Sequence, residues 1–198
     1  MAPKRKIGVV GSAGGEFPPE VLALCRELGR EIGRRDCIIV TGACPGLPQA
    51  AVFGAKEEGA FALGISPALC LEEHRRRFRS PWEEYDALVF TGSGLMGREV
   101  DVVRTADVIV IVGGRSGTLG EFSIAYDDGN VIAALLGTGG IADHIREIVS
   151  YIDKDTGTEM ICSPDPAELL DLAFAALERR VADGRANTIN EAWTWRST

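Results

Sequence analysis

The fold of this chain is decided by the stretch Val108-Ile-Val-Ile-Val-Gly-Gly-Arg-Ser-Gly-Thr-Leu-Gly-Glu121. Its first five residues are a continuous β-branched run, which is typical of a strand buried on both faces of a parallel sheet. Gly113, Gly114 and Gly117 follow, and without Cβ atoms they let a ligand approach the backbone. If a helix opens at Thr118, its first N–H groups face the strand end, where the helix dipole favours an anion. The stretch therefore predicts a phosphate site at a strand-to-helix junction.

The rest of the chain repeats the order of strand, glycine turn and helix. Apolar spacing predicts strands at 6–10, 37–40, 61–65, 86–90, 108–112, 131–136 and 159–162. It predicts helices at 18–34, from after Pro48 to about Gly59, at 96–105, from 118 onwards, at 139–150 and at 166–181. Such alternation implies right-handed crossovers. We expect a Rossmann-like α/β fold: a doubly wound, mainly parallel sheet of about seven strands with helices on both faces. Residues 1–181 form one domain and 182–198 a C-terminal tail.

The composition argues against nucleic acids and membranes as binding partners. The net charge of −8 argues against a nucleic-acid binder, because affinity for the phosphate backbone comes from clustered Lys and Arg. Residues 72–79 are rich in arginine, and we expect a loop or short surface helix there, with Arg75-Arg76-Arg77 on a solvated face in preference to a binding patch. No apolar run approaches the roughly 20 residues that cross a bilayer, so no membrane association is expected.

Cysteine and histidine usage points to a reduced compartment without a metal site. The five cysteines are scattered and form no Cys-x-x-Cys pair, which favours free thiols and a cytoplasmic location. His74 and His144 have no partner at metal-ligand spacing. We therefore expect structural or solvent-facing histidines and no bound metal.

Glycine-rich loops follow four of the predicted strands, at 11–15, 41–46, 91–97 and 113–117. Ligands of such sheets bind at the carboxyl ends of the strands, so the four loops are expected to converge on one crevice. The candidate ligand-binding residues are Gly11, Ser12, Gly42, Gly46, Thr91, Gly92, Gly113, Gly114, Arg115, Ser116, Gly117 and Thr118. The first loop lacks Gly-x-Gly-x-x-Gly and no acidic residue ends the second strand, so NAD is disfavoured. A P-loop is absent too, and a tight turn without a ligand is the alternative.

Two charged residues are candidates for chemistry at this edge. The 91–97 loop would deliver Arg98 to the strand ends, close to Glu121. Each has a simpler interpretation: Glu121 as a first-turn acid that stabilises the helix dipole, and Arg98 as a surface cation. Their shared position favours a functional pair.

These residues resemble the Lonely Guy (LOG) family, long mislabelled as lysine decarboxylases, within a Rossmann-like superfamily that includes molybdenum cofactor carriers. LOG proteins carry Pro-Gly-Gly-x-Gly-Thr-x-x-Glu, and its second, fifth, sixth and ninth positions match Gly114, Gly117, Thr118 and Glu121. An upstream Met-His-x-Arg-Lys places its arginine on Arg98, at the family's spacing. The resemblance does not imply lysine decarboxylation.

Four departures distinguish this chain from LOG enzymes. Gly113 replaces the motif proline, Arg115 its second glycine, Met96 the upstream histidine and Glu99 the lysine. With these changes the chain looks like a branch close to the molybdenum cofactor carriers. In such families the fold transfers better than the activity.

The LOG resemblance implies hydrolysis of the N-glycosidic bond of a nucleoside 5′-monophosphate to base and ribose 5-phosphate, with no required cofactor. Gly114, Gly117 and Thr118 would hold the phosphate. Glu121 would activate water or stabilise charge on the ribose, and Arg98 would orient substrate or carboxylate.

The alternative is a non-catalytic carrier or sensor of a phosphorylated ligand, of nucleotide or molybdopterin type. Arg115 would then add a cation or narrow the pocket. Members of the group are commonly dimers, so we expect a homodimer in which Ile124, Ala125 and Tyr126 serve either the core or the interface. We expect the partner's Arg79 or neighbouring arginines to complete the crevice.

Overall fold

The structure, a computed structural model, describes residues 3–184. Fourteen elements alternate in this part of the chain. They are β1 (Lys6–Gly11), α1 (Pro19–Arg34), β2 (Ile38–Thr41), α2 (Leu47–Glu57), β3 (Ala62–Ser66), α3 (Leu71–Arg76), β4 (Ala87–Phe90), α4 (Gly94–Thr105), β5 (Val108–Val112), α5 (Ser116–Asp127), β6 (Val131–Leu135), α6 (Gly140–Ser150), β7 (Glu159–Ser163) and α7 (Pro166–Ala182).

The strands form one parallel sheet in the order β4-β3-β2-β1-β5-β6-β7, which confirms the predicted fold class. From β1 the chain winds outward to β4, then returns to place β5 on the other side of β1. Strand order therefore reverses between β1 and β5, and the helices that leave these two strands cover opposite faces. Such a reversal opens a crevice at the carboxyl ends.

The alternation of side chains along β5 separates two apolar layers. Val108 and Val110 pack with α1, α2 and α7 in one buried cluster. Ile109 and Ile111 pack with α4, α5 and α6 in the other. Since both faces are covered, every residue of β5 is buried, as its unbroken β-branched run predicted.

Local boundaries differ from the sequence-based expectations mainly at helix starts. Helix α4 begins at Gly94 and α5 at Ser116, each two residues earlier than the spacing of apolar residues suggested. Residues 71–76 form the short surface helix α3. Helix α7 runs through Ala182, one residue past the predicted domain boundary, and the predicted tail from residue 185 onward lies outside the described residues.

The histidines have the structural and solvent-facing positions that were expected. His74 is fully buried, with hydrogen bonds to Ser66 Oγ at 2.8 Å and to the Pro81 carbonyl oxygen at 2.9 Å. His144 lies on the surface of α6.

The burial of residues 124–126 and the ion pairs of the arginine run 75–77 decide two alternatives that the sequence left open. Ala125 is fully buried, and its neighbours Ile124 and Tyr126 are partly buried against the same core cluster, so these residues belong to the core. In the arginine run, Arg76 and Arg77 form ion pairs one turn along α3 with Glu72 and Glu73, as on a solvated face. No helix within residues 3–184 has the length and apolar character that crossing a bilayer requires.

Candidate ligand-binding crevice

A crevice of about 450 Å³ lies where the strand order reverses. Its walls come from the turns after β1, β2 and β5 and from the first turns of α4 and α5. Most of the candidate residues line it: Gly11, Ser12, Gly42, Arg98, Arg115, Ser116, Gly117, Thr118 and Glu121. The structure thus brings the two charged candidates and the glycine turn of the opening segment into one space.

Gly46, Gly113 and Gly114 lie behind this surface. The Gly113 N–H donates to Thr138 Oγ1 at 2.8 Å, and the Gly114 N–H donates to Ser12 Oγ at 2.8 Å. Gly46 precedes α2, whose first N–H donates to the Ser12 carbonyl oxygen. These residues shape the turns, and their direct contact with a ligand stays a prediction.

Thr91 and Gly92 are not brought to the crevice. They follow β4, an edge strand three places from β1. The Thr91 hydroxyl donates to the Ser66 carbonyl oxygen at 2.9 Å, and the Gly92 N–H donates to the Ala68 carbonyl oxygen at 3.0 Å. Helix α4 crosses back from this edge, so Arg98 reaches the crevice while the loop that precedes the helix does not.

The N-terminus of α5 opens directly onto the crevice. No side chain of residues 3–184 caps this end, and the first turn contains no acidic residue. The N–H groups of Ser116, Gly117 and Thr118 have no partner within the helix, as in any first turn. Because α5 begins at Ser116, Glu121 lies in the second turn, so the interpretation of Glu121 as a first-turn acid is wrong.

Arg98 is buried in the crevice wall, and part of its guanidinium group has no hydrogen-bond acceptor among the described residues. It is only 8% exposed, and its Nη2 donates to Cys44 Sγ at 3.2 Å. Its Nε and Nη1 are buried and find no acceptor among the described residues. Gly42 makes room for the guanidinium, since a Cβ there would lie 1.2 Å from Arg98 Nη1. An unpaired buried cation is costly, so this group is suited to an acceptor supplied by a ligand.

Two carboxyl groups flank this arginine. Burial raises the pKa of Glu121 to about 7, although the Arg98 cation lowers it, and the charge of Glu99 raises it further. Burial likewise raises the pKa of Glu99, against the effect of Arg98. A Cβ on Gly120 would lie 2.6 Å from Glu99 Oε2, so the Glu99 carboxylate rests directly on the backbone of α5.

Sequence reasoning missed Glu99 and Cys44 as crevice residues. Glu99 lies against the α5 backbone at Gly120, a contact that only the folded chain brings about, whereas Cys44 belongs to the predicted 41–46 loop and follows Gly42 by two residues. The signal for Glu99 was present, since it adjoins Arg98 and replaces a family lysine. For metals, the described part of the chain holds no cluster of three or more His, Cys, Asp or Glu side chains that could bind one.

The raised pKa of Glu121 predicts a pH-dependent stability. Between pH 4.5 and 7 the folded protein keeps a proton on Glu121 that the unfolded chain releases, so stability falls as the pH rises through this window. The full effect is about 3 kcal/mol. We expect Glu121→Gln to lack this loss when unfolding by urea is measured from pH 4.5 to 8. The exposed-site variant Glu20→Gln should follow the wild type, and parallel curves for wild type and Glu121→Gln would contradict the assignment.

Comparisons with known proteins agree with this architecture. TM1055, solved as a structural genomics target, is 28% identical with a TM-score of 0.76, over 86% of this chain and 99% of that one. The molybdenum cofactor carrier protein of Chlamydomonas reinhardtii is 26% identical with a TM-score of 0.71, over 88% and 99%. An uncharacterised protein of Archaeoglobus fulgidus is 28% identical over 131 residues, 66% of this chain and 79% of its own.

These similarities confirm the Rossmann-like superfamily and the branch close to the molybdenum cofactor carriers that the glycine turn and Arg98 suggested. The SLOG cluster4 family model matches residues 4–170. The chain belongs to the SLOG cluster4 family.

Proposed function

We propose that the crevice binds a small phosphorylated molecule, a nucleoside 5′-monophosphate or a molybdopterin-type compound, with its phosphate at the N-terminus of α5. The observation that carries the proposal is the uncapped first turn of α5 at the crevice wall. Helix N-termini bind phosphate through their free N–H groups and their dipole. A cytoplasmic location, which the free cysteines favour, is part of the same proposal.

Backbone N–H groups and two arginine side chains would contact different parts of the ligand. The N–H groups of Ser116, Gly117 and Thr118 donate to the phosphate oxygens. Arg115 is exposed at the rim beside the β1 turn, where a Cβ on Gly15 would lie 3.2 Å from its Nη2, and it adds a cation for a second negative charge. Deeper in the crevice, Arg98 supplies its unused donors to the sugar or to a further anionic group.

Substitution of Ser116 by proline tests the phosphate site. Proline is tolerated at the first helical position, and the extended backbone of Arg115 suits a residue before proline. Ser116→Pro therefore removes one N–H while the helix persists. We expect the affinity for ribose 5-phosphate, measured by isothermal titration calorimetry, to fall by about tenfold or more.

Ser116→Ala is the matched control, because it removes the hydroxyl and keeps the N–H. It should bind within about twofold of the wild type, since the proposal assigns the phosphate contact to the N–H of Ser116 and none to its hydroxyl. Equal affinities for Ser116→Pro and Ser116→Ala would show that the phosphate lies elsewhere.

Hydrolysis of the N-glycosidic bond is the catalytic form of this proposal. The buried Glu121 beside Arg98 supports it: with a pKa of about 7 this carboxyl is poised to exchange a proton at neutral pH. Glu121 would activate the attacking water or stabilise positive charge on the ribose, and Arg98 would orient the substrate. The alternative is a carrier without chemistry, which the similarity to a molybdenum cofactor carrier protein supports.

Replacing Glu121 separates the two functions. Purified protein is incubated with a panel of nucleoside 5′-monophosphates, and free base is measured by chromatography. For a hydrolase, we expect the wild type to release base and Glu121→Gln to lose this activity by about a hundredfold or more while still binding the nucleotide. An intact ligand retained in native mass spectrometry, with no base released, supports the carrier, and Glu121→Gln turnover at the wild-type rate contradicts the catalytic assignment.

We further propose a homodimer whose interface covers the crevice rim. Leu95 and Met96 line the crevice and are 54% and 69% exposed, and Leu69 beside Gly92 is 76% exposed. Large apolar side chains grouped in this way mark interaction surfaces. The dimer would allow the partner's Arg79 to reach the crevice, as the sequence suggested.

Light scattering tests the dimer. We expect twice the chain mass of 21.2 kDa for the wild type and a monomer for Met96→Glu, because a buried charge opposes association. Leu172→Glu, which changes an exposed residue of α7, should stay dimeric. A monomeric wild type would exclude a shared crevice.

A further inference from the structure

A second cavity of about 360 Å³ lies beside the crevice. Its walls come from the start of α2, through Gln49, and from the segment before β4, at residues 79–84. Pro45 and Gln49 of this cavity alternate along the chain with Cys44 and Pro48, which line the crevice. The two cavities therefore lie on either side of the segment 44–49, which leads into α2.

The buried hydroxyl of Tyr85 joins the polar groups of both cavities. It makes a hydrogen bond of 2.8 Å with Thr41 Oγ1 at the end of β2. Burial raises the pKa of Tyr85 and the Thr41 bond lowers it, while the charges that act on it are those of Cys44, Glu84 and Arg98. Tyr85 directly follows Glu84, which lines the second cavity, and Thr41 directly precedes Gly42, which lines the crevice, so this hydrogen bond links the walls of the two cavities.

The second cavity holds a carboxylate that the chain does not satisfy. Glu84 lines it, and the buried Glu84 Oε2 has no hydrogen-bond partner among the described residues. A buried carboxylate oxygen accepts hydrogen bonds and cannot donate them, so a ligand that contacts this group must present N–H or O–H donors. A carbonyl oxygen at the same position would be repelled.

The other walls suit a flat ring. Trp82 lines the cavity, and the guanidinium of Arg75 lies 5.0 Å from the centre of its ring system. Gln49 offers both a donor and an acceptor. Arg79 brings a cation that makes no ion pair with any residue in 3–184, so it is available to a ligand. Indole rings stack on nucleobases, and amide and carboxylate groups form hydrogen bonds with the polar atoms at the edges of the bases.

We propose that this cavity is the base subsite of the crevice and that it takes a nucleobase bearing an exocyclic amino group, with Glu84 accepting from the amine and Trp82 stacking on the ring. The inference rests on the proposed function, because the phosphate at α5 anchors the nucleotide whose base enters the cavity. It narrows the ligand to amino-bearing nucleoside monophosphates.

Adenosine and inosine monophosphates test the subsite, since they share sugar and phosphate and differ at one exocyclic group of the base. Titration calorimetry should show AMP binding the wild type about tenfold tighter than IMP, because a hydrogen bond to a charged group discriminates by at least this factor. Glu84→Gln should bring the ratio close to one, because an amide can serve either base. The exposed-site control Glu20→Gln should keep the wild-type ratio, and ribose 5-phosphate should bind all three proteins equally.

Fluorescence gives an independent readout. The chain has three tryptophans, so the double variant Trp193→Phe/Trp195→Phe leaves Trp82 as the only one. Stacking of AMP should quench its emission, and ribose 5-phosphate should leave the emission unchanged. This measurement does not depend on any substitution inside the cavity.

The outcomes distinguish the two proposals. If ribose 5-phosphate binds but AMP and IMP bind equally and Trp82 is not quenched, the base subsite is overturned and the phosphate site stands. If AMP binds with quenching and Ser116→Pro has no effect, the subsite stands and the phosphate site is wrong. If neither ribose 5-phosphate nor AMP binds, both are overturned.

Discussion

The pairing of β1 with β5 is the constraint on which the crevice depends. Gly11 stands opposite Val112 at the end of this pair, so the turns that follow the two strands begin at the same level. Ser12 then ties three turns together: its N–H donates to the Val112 carbonyl oxygen, its Oγ accepts from Gly114, and its carbonyl oxygen accepts from Leu47. The position of the α5 N-terminus, where the proposal places the phosphate, therefore depends on Ser12 and on the pairing of β1 with β5.

Electrostatics in the crevice are governed by burial more than by charge pairing. Arg98 lies close enough to lower the pKa of Glu121, yet the loss of water outweighs it and the pKa rises to about 7. With this pKa, Glu121 carries a proton about half of the time at neutral pH, which lowers the negative charge of a site with two carboxyl groups and, in Arg98 and Arg115, two guanidinium groups. The proposed anion site is therefore compatible with a net charge of −8 for the whole chain, because the local charge and not the total decides binding.

The fold could be predicted from sequence because each buried strand has a local signature. The Val108–Val112 run and its glycine turn predicted a central strand, and the structure places β5 between β1 and β6. Thr91 and Gly92 were expected at the crevice because strand order is a long-range property that no local pattern encodes. Glu99 was missed because its burial depends on Gly120 of another helix, a contact that exists only after α4 and α5 pack.

The four departures from the LOG motifs lie in different parts of the site. Their positions decide whether phosphate binding, catalysis or both can be expected from the resemblance to LOG proteins. Gly113 sits in a turn whose N–H groups are already bound within the chain, so the loss of the motif proline leaves the turn intact. Arg115 and Met96 lie exposed at the rim, where the proposal places the outer parts of the ligand. Glu99 alone changes the charge beside Arg98 and Glu121, where bond cleavage would occur. The proposed phosphate site thus consists of backbone that the departures leave unchanged, whereas the proposed chemistry would depend on a buried position at which this chain has an acidic residue in place of the LOG lysine.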